Sequence, residues 1–229
     1  MLVVINPSVQ IATAGEANRP TMPATAAPEP GDTGASRRSR RKSDRRCLLL
    51  AAAERQFAER GFLAVRLEDI GAAADVSGPA IYRHFPNKEA LLVELLVGIS
   101  TRLLTGGRAV AAAAGDDAAA ALDGLIDFHL DFTLGEPDLI RIQDRDLIHL
   151  PPGPLRQVRR SQRQYVELWV KVLRERTPAV DEDDARVMAH AAFGLLNSTP
   201  YSTKAAAGKP ISAHSRTILR SMTVAALTG

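Results

Sequence analysis

Apolar residues recur at intervals of three or four along the chain from about residue 45 onward. Leu49, Ala53 and Phe57 follow one another at intervals of four, which places them on one face of an α-helix. This pattern predicts a first helix from about Arg45 to Arg60. Gly61 follows directly, and glycine commonly ends a helix because it adopts the left-handed backbone conformation without steric cost.

Two short helices are predicted next, one from about Leu67 to Ala74 and one from Pro79, a residue suited to a first helical turn, to Phe85. The turn between them supplies Ser77 as the N-cap of the third helix. Ile81 and Phe85 lie four residues apart, so one face of this helix packs into a three-helix core. The opposite face is then exposed, and it fits the major groove of B-DNA, which is about 12 Å wide.

Six further helices are predicted in the rest of the chain. Only 4 % of residues are aromatic while alanine runs recur, which favours helices over sheets. Asn87 is expected to cap the fourth helix, and Pro151-Pro152-Gly153-Pro154 interrupts the chain between the sixth and the seventh. The predicted helices cover about residues 88–104, 116–134, 137–149, 155–176, 181–197 and 212–227.

Positive charge is concentrated near the front of the chain. The formal net charge is +3, but residues 37–90 carry 12 basic and 7 acidic side chains, whereas residues 91–229 carry 16 of each. Seven of the ten residues in 37–46 are basic. We interpret this segment as an arm that binds DNA phosphates, the alternative being a solvated charge run. Residues 1–36, rich in proline and alanine, are expected to form a disordered leader.

Cysteine content and hydropathy exclude several classes of protein. Cys47 is the only cysteine, so neither an internal disulfide nor a multi-cysteine metal site can form, and we interpret it as a buried packing residue. No run of about 18 apolar residues is present, which argues against a membrane span. A cytoplasmic protein is therefore expected.

The stretch from Ala51 to Leu92 resembles the DNA-binding domain of TetR-family repressors. The resemblance rests on an ordered set of segments: Gly61-Phe62, Asp69-Ile70, Val76-Ser77, Ile81-Tyr82-Arg83-His84-Phe85 and Asn87-Lys88-Glu89-Ala90-Leu91. It implies an all-α fold, with a three-helix helix-turn-helix DNA-binding domain at 45–90 and a six-helix ligand-binding and dimerisation domain at 91–229. One departure is Arg66, which stands where the family usually has Ser or Thr. We expect its charge to replace the missing hydroxyl contact.

The predicted DNA contacts come from the basic arm, the start of the second helix and the exposed face of the third. Gly78 and Ala80 are small enough for the backbone to approach the bases closely, and Lys88 resembles the family's phosphate-contacting lysine. The full set is Arg41, Arg45, Arg66, Ser77, Gly78, Pro79, Ala80, Tyr82, Arg83, His84 and Lys88.

The resemblance also implies an effector cavity in the second domain, although apolar residues at helical spacing are equally typical of a plain core. A hydrophobic or amphipathic effector would fit, and an acyl-CoA is one candidate. Arg141 and Arg145 would then meet its anionic head group, unless they pair with Asp144 and Asp146. The expected lining is Phe128, His129, Phe132, Ile142, Tyr165, Trp169, Phe193 and Asn197.

A homodimer through the last two helices is a further implication of the resemblance. Small or apolar residues on these helices suit such an interface, and the alternative for each of them is the core of its own protomer. The residues concerned are Ala189, Ala192, Phe193, Leu196, Ile218, Met222 and Ala225.

These features predict a repressor whose dimer presents two recognition helices about 34–36 Å apart to a palindromic operator until an effector changes that separation. No cofactor and no metal are expected. One alternative is an enzyme that uses His129, His149, His190 or Asp144, but these residues lack metal-ligand spacing and no nucleophile lies in a recognisable turn. The other alternative is a non-specific DNA binder that uses only the basic arm.

Overall fold

Helices account for all the regular structure in the computed structural model of the chain, which describes residues 34–198 and 213–229. The predicted all-α fold is confirmed. The N-terminal domain contains α1 (Gly34–Arg60), α2 (Leu67–Ala73) and α3 (Gly78–Ile81). The second domain contains α4 (Lys88–Ala113), α5 (Ala118–Gly135), α6 (Pro137–Asp146) with a 3-10 turn (Leu147–His149), α7 (Pro152–Arg176), α8 (Glu182–Leu196) and α9 (Ala213–Thr228).

The first helix begins eleven residues before the predicted start, at Gly34 instead of Arg45. The basic segment 37–46 is therefore part of α1 and not an arm in front of it. Arginine and lysine are good helix formers, and their run continues the helix without interruption. Residues 34–36 of the predicted disordered leader are helical as well, while residues 1–33 lie outside the described part of the chain. Cys47 is half-buried on α1 and not, as predicted, in the core.

The cap residues fit the predicted helix starts in part. Asn87 caps α4 as predicted, because its Oδ1 accepts a hydrogen bond of 2.9 Å from the N–H of Ala90. Ser77 precedes α3 with extended backbone angles, but its side chain makes no capping hydrogen bond. The regular part of α3 is shorter than predicted, and helical hydrogen bonds continue as far as the N–H of Phe85, which donates to Ile81 O.

The central helix α4 runs nine residues past its predicted end, and two glycines in this extension let other helices pass close to it. A Cβ atom on Gly106 would lie 2.3 Å from the ring of Phe128 in α5, and one on Gly107 would lie 2.5 Å from the ring of Tyr165 in α7. By length and composition alone α4 could also cross a membrane, contrary to the expectation from the sequence. In the structure it packs against α5 and α7 in the interior of the second domain.

Two clusters of buried side chains hold the molecule together. The first contains Ile70, Ile81 and Phe85, the three predicted core residues of the helix-turn-helix, and all are at most 1 % exposed. It also includes Leu139 and Ile142 of α6, so the core of the N-terminal domain continues into the second domain. The second cluster joins α4, α5, α7, α8 and α9. Helix α6 consequently packs against both domains.

Several residues predicted at a dimer interface belong to the core of the protomer instead. Ala189, Ala192 and Leu196 are at most 2 % exposed because they lie on the side of α8 that faces the second cluster. In contrast, the predicted interface residues of the last helix, α9, do not belong to the core. Ile218, Met222 and Ala225 point to solvent and follow one another along one face.

Candidate DNA-binding surface and effector cavity

The turn between α2 and α3 fixes the angle of the helix-turn-helix. Gly71 O accepts a hydrogen bond of 2.8 Å from the N–H of Val76, and a Cβ atom on Gly71 would lie 3.0 Å from Val76 O. Asp75 supports the reversal of the chain with a φ of 54°, a left-handed conformation that aspartate tolerates better than most residues. The two helices therefore approach each other at a position without a side chain.

The predicted recognition face of α3 is open to solvent. A Cβ atom on Gly78 would meet nothing within 4 Å, and Ser77, Pro79 and Arg83 are exposed. Ala80 is half-buried. This arrangement leaves the N-terminal turn of α3 free to enter the major groove of DNA.

Tyr82 is half exposed, at 52 %, but its hydroxyl is already engaged within the protein. It donates a hydrogen bond of 2.6 Å to Glu68 Oε1 on α2. This hydrogen bond raises the pKa of the Tyr82 hydroxyl and lowers the pKa of the Glu68 carboxyl. The ring of Tyr82 is thereby held against α2, and its exposed edge is what remains for contact with DNA.

The ammonium group of Lys88 is bound within the protein. Its ammonium group donates to the carbonyls of Phe62, Leu63 and Val65 at 2.9, 3.3 and 3.1 Å, and it lies 4.4 Å from the centroid of the Phe62 ring. A lysine has three hydrogens to donate, and all three are used. Lys88 therefore closes the loop between α1 and α2, and no ammonium hydrogen is left over for the predicted phosphate contact.

Arg46, which the sequence placed only within a charge run, links three helices. Its Nε donates to Glu94 Oε1 at 3.0 Å and its Nη2 pairs with the other carboxylate oxygen, while Nη1 donates to His84 O at 2.9 Å. Its guanidinium lies 4.2 Å from the centroid of the Phe85 ring. Arg46 thus attaches α1 to the turn that follows α3 and to α4.

The remaining cations near the recognition unit are free to meet an anion. Arg41, Arg45, Arg66 and Arg83 are exposed, and none forms an ion pair with another residue in the described ranges. Arg66 is the N-cap residue of α2 and has no side-chain hydroxyl. Its backbone N–H donates a hydrogen bond of 3.2 Å to Asp69 Oδ2. The carboxylate at the third helical position thus satisfies a backbone donor at this helix start.

The pKa of His84 is lowered in part by the positive charges around it. Burial lowers the pKa of its imidazole, and Lys42, Arg45 and Arg46 lower it further. All three cations lie on α1, so the basic turns of α1 lie beside the end of α3. His84 is therefore neutral near pH 7, and its Nδ1 is buried without a partner among the described residues.

A cavity of about 240 Å³ opens in the second domain between α4, α5, α6, α7 and α8. Five of the eight predicted lining residues are there: His129, Phe132, Tyr165, Phe193 and Asn197. The residues that the sequence did not suggest are mostly polar or lie on α4 and α6: Ser100, Leu103, Ile140, Gln143, Gln162, Val166 and His190. They were missed because the prediction selected mainly large apolar and aromatic positions.

Three predicted lining residues do not line the cavity but pack behind its wall. Ile142 is fully buried in the first cluster. Trp169 is fully buried, with its ring 4.9 Å from that of Phe193 and 6.2 Å from that of His129. Phe128 covers the glycine at position 106 of α4. Each supports the wall from outside and does not face the cavity.

His129 forms a buried hydrogen-bonded chain at the cavity wall. Its Nδ1 lies 3.3 Å from Tyr165 Oη and its Nε2 lies 3.1 Å from Asn197 Oδ1. Burial lowers the pKa of His129 to about 4, although the hydrogen bond with Asn197 acts in the opposite direction. Burial also raises the pKa of Tyr165 well above its usual range. Both side chains are therefore uncharged at neutral pH.

The C-terminal end of α6 is attached to the C-terminal end of α1. Arg145 donates to the carbonyl oxygens of Phe57 and Ala58, and Asp146 accepts a hydrogen bond of 3.3 Å from the N–H of Phe62. Arg145 and Asp146 are also paired with each other at 3.0 Å. We call these five residues the domain contact. Ile140 and Gln143 on the same helix line the cavity, so α6 carries both the cavity wall and the domain contact.

Replacing Asp146 with alanine should lower the free energy of unfolding by about 2 kcal/mol, because the buried N–H of Phe62 loses its acceptor and Arg145 loses one ion pair. Urea denaturation measures this change. Asp144→Ala is the matched control, since Asp144 is exposed on the same helix and should change stability by less than about 0.5 kcal/mol. Equal effects of the two substitutions would contradict the role of Asp146 in the domain contact.

Arg141 and Arg145 do not line the cavity. Arg141 pairs with Asp138 at 2.5 Å, and Arg145 is directed to α1. The alternative in which these arginines form ion pairs on α6 is therefore the better description. In the ranges 34–198 and 213–229, no group of three or more His, Cys, Asp or Glu side chains is placed to hold a metal ion.

Two family models match the chain. One is described as bacterial regulatory proteins, tetR family, and matches residues 49–95; the other is described as tetracyclin repressor-like, C-terminal domain, and matches residues 115–201. The chain belongs to the TetR family. The matched ranges correspond to the helix-turn-helix with the start of α4 and to the helices around the cavity. TetR-family members are transcriptional regulators and not enzymes, so the enzymatic alternative is set aside.

Individual relatives agree with this assignment. The chain is 31 % identical over 133 residues to the HTH-type transcriptional repressor KstR2 of Rhodococcus jostii, a match that covers 58 % of this chain and 65 % of KstR2. It is 36 % identical over 77 residues to the HTH-type transcriptional activator FasR of Mycolicibacterium smegmatis, covering 33 % of this chain and 35 % of FasR. The chain thus spans less than two thirds of the length of each of these relatives.

The fold of this TetR-family chain also matches solved structures. A TetR-family transcriptional regulator from Bordetella parapertussis superposes with a TM-score of 0.70 at 22 % identity, covering 80 % of this chain and 94 % of that one. At this level of identity the likeness concerns the fold. It extends over both domains.

Proposed function

We propose that this chain is a sequence-specific DNA-binding transcriptional regulator that acts as a cytoplasmic repressor and is released from a palindromic operator by a small hydrophobic or amphipathic effector. The observation that carries the proposal is the open N-terminal turn of α3 beside the unpaired cations of α1. The uncharged first turn of α3 can enter a DNA groove and contact base edges. The cations beside it can then contact the phosphates that border the groove.

Each part of this surface has a separate role in the proposal. Gly78 and Ala80 allow the backbone to approach base edges, and Arg83 contacts a base or a phosphate beside them. Arg41 and Arg45 on α1 and Arg66 at the start of α2 neutralise phosphates and contribute affinity independent of sequence. Ser77, Pro79, Tyr82 and His84 complete the contact area at the end of α3.

Footprinting of the DNA upstream of the chain's own gene tests the proposal. Sequence-specific binding by a dimer protects a palindrome, whereas binding through the basic turns of α1 alone protects no preferred site. A footprint without a preferred site would favour the second reading. Repression is tested by fusing the protected DNA to a reporter, where removal of the protein should raise expression.

The dimer is proposed to form through α8 and α9. Met222 is 51 % exposed, and Ile218, Ala225 and Val187 are exposed apolar residues on the same two helices. A single recognition helix contacts too few base pairs for useful specificity, and a two-fold axis doubles the contacts. Exposed apolar residues on both of these helices, which pack against each other, favour them as the dimer interface.

Met222→Glu should weaken dimerisation at least about tenfold, because burying an unpaired carboxylate at the interface costs more than 1.4 kcal/mol. Sedimentation velocity over a range of concentrations measures the dimer dissociation constant. Ile148→Glu is the control, since Ile148 is 75 % exposed on the 3-10 turn, away from α8 and α9. Dissociation constants that stay equal for both variants and the unaltered chain would place the dimer interface elsewhere.

For the effector, the cavity favours a hydrophobic molecule over an acyl-CoA. The head group of an acyl-CoA is strongly anionic, and neither Arg141 nor Arg145 lies at the cavity. An effector that displaced Ile140 or Gln143 would also move the domain contact on α6. To shift a dimer from mostly bound to mostly free, the effector must favour the released form by about 5.5 kcal/mol.

A further inference from the structure

The charge of the cavity wall limits the chemistry of its ligand. All the polar side chains among the described lining residues are amides, hydroxyls or imidazoles, and none is a lysine, arginine, aspartate or glutamate. The innermost polar group, His129, is only 3 % exposed and uncharged. An ionised group placed against this wall would lose its hydration without meeting an opposite charge.

The hydrogens of the buried chain can be assigned one by one. Asn197 Oδ1 can only accept, so the hydrogen of His129 lies on Nε2 and is donated to Asn197. His129 Nδ1 is then an acceptor, and the single hydroxyl hydrogen of Tyr165 is donated to it. The amide nitrogen of Asn197 still carries two hydrogens, for which the described residues provide no partner. The hydrogen-bonded chain therefore ends at the side-chain amide of Asn197, which is left as a donor on a residue that lines the cavity.

The apolar part of the wall is built from aromatic rings. The rings of Tyr165 and Phe193 are stacked at 5.6 Å, and the ring of Phe132 meets the edge of His129 at 5.7 Å. Flat rings at fixed angles favour a rigid ring system over a flexible chain, because such a ligand loses little conformational entropy on binding.

We infer that the effector is an uncharged, ring-containing molecule with a carbonyl oxygen that accepts a hydrogen bond from the side-chain amide of Asn197. This inference rests on the proposed function, in which the cavity is the effector site, and it adds the chemical class of the ligand. Asn197 is then a specificity-determining residue, positioned by His129 and Tyr165.

Three probes of nearly equal size test the inference by titration calorimetry: methyl naphthyl ketone, ethylnaphthalene and naphthoate. The ketone supplies the acceptor, the hydrocarbon lacks it, and the carboxylate adds a charge. The ketone should bind at least about fivefold more tightly than either of the others, because it alone gives the Asn197 amide an acceptor and because a buried carboxylate without a partner is costly. Tightest binding by naphthoate, or equal binding of ketone and hydrocarbon, would overturn the inference.

Two variants locate the selectivity. Asn197→Ala should make the affinities of ketone and hydrocarbon equal. Ser198→Ala, next to Asn197 at the end of α8 but outside the cavity lining, should preserve the preference for the ketone. The comparison of probes on the unaltered protein remains valid even if a variant fails to fold. Failure of all three probes to bind at millimolar concentration would also overturn the inference. An operator footprint measured without any ligand would persist in each of these cases, so the regulatory function is tested separately.

Discussion

Replacing Gly78 with glutamate is expected to lower the affinity for the protected DNA site roughly a hundredfold or more, which corresponds to a loss of about 2.8 kcal/mol per binding event. A Cβ atom at this position would meet no protein atom within 4 Å, so a side chain would project from the first turn of α3 toward solvent. In the proposed complex that space belongs to the major groove. A carboxylate there would be repelled by the phosphates and would prevent close approach of the backbone.

Gly98→Glu provides a matched control for this substitution. Gly98 lies on α4, and a Cβ atom there also meets nothing within 4 Å, so both substitutions add the same charge at an open helical position. Fluorescence anisotropy with a labelled operator fragment measures the two affinities, and thermal unfolding verifies that both variants are folded. Equal losses of affinity would show a general charge effect, and the assignment of α3 as the recognition helix would then be wrong.

The helix-turn-helix could be predicted from the sequence because its signals are local. The spacing of Ile81 and Phe85 determines which face of α3 is buried, and the residues between them are then exposed by geometry alone. Both side chains are at most 1 % exposed in the structure. The cap at Asn87 is equally local, because its side chain bonds to a backbone group three residues away.

The partners of individual cations could not be predicted in the same way. Lys88 and Arg46 both look like phosphate ligands in the sequence, yet Lys88 binds three carbonyls and Arg46 binds Glu94 and His84 O. Their partners lie 23 to 48 residues away along the chain. Whether a cation is free depends on the tertiary packing around it, and helical periodicity carries no information about that.

The effector cavity lies between these two cases. The resemblance to the TetR family indicated most of the aromatic wall, including Phe132 and Phe193. It did not suggest Gln143 or Gln162, because a glutamine on a helix is usually exposed and a cavity that admits polar side chains is a property of how helices are separated. Nor did the sequence indicate that α6 attaches to α1, since Arg145 and Phe57 are 88 positions apart.

Glu54 of α1 is expected to make the protein less stable at high pH than at low pH. Its side chain is 2 % exposed, and Oε2 has no hydrogen-bond partner among the described residues. Burial raises the pKa of its carboxyl from the usual 4.5 to about 7; Glu136 and Asp138 contribute to the rise, and Arg102 opposes it. Because the folded state binds the proton more tightly than the unfolded state, stability falls as the pH rises from about 4.5 to 7. Each pKa unit is worth about 1.4 kcal/mol, so the folded state loses about 3 kcal/mol above pH 7.

Glu54→Gln removes this loss because a neutral amide has the shape of the protonated acid. Urea denaturation between pH 4.5 and 8 should find the variant more stable than the unaltered chain at pH 8, by up to about 3 kcal/mol, with the difference shrinking toward pH 4.5. Glu59→Gln on the same helix is the control, since Glu59 is exposed and should leave the pH dependence unchanged. A constant difference across this range would contradict the raised pKa of Glu54, and a variant less stable at pH 8 would mean that the ionised carboxylate stabilises the folded protein.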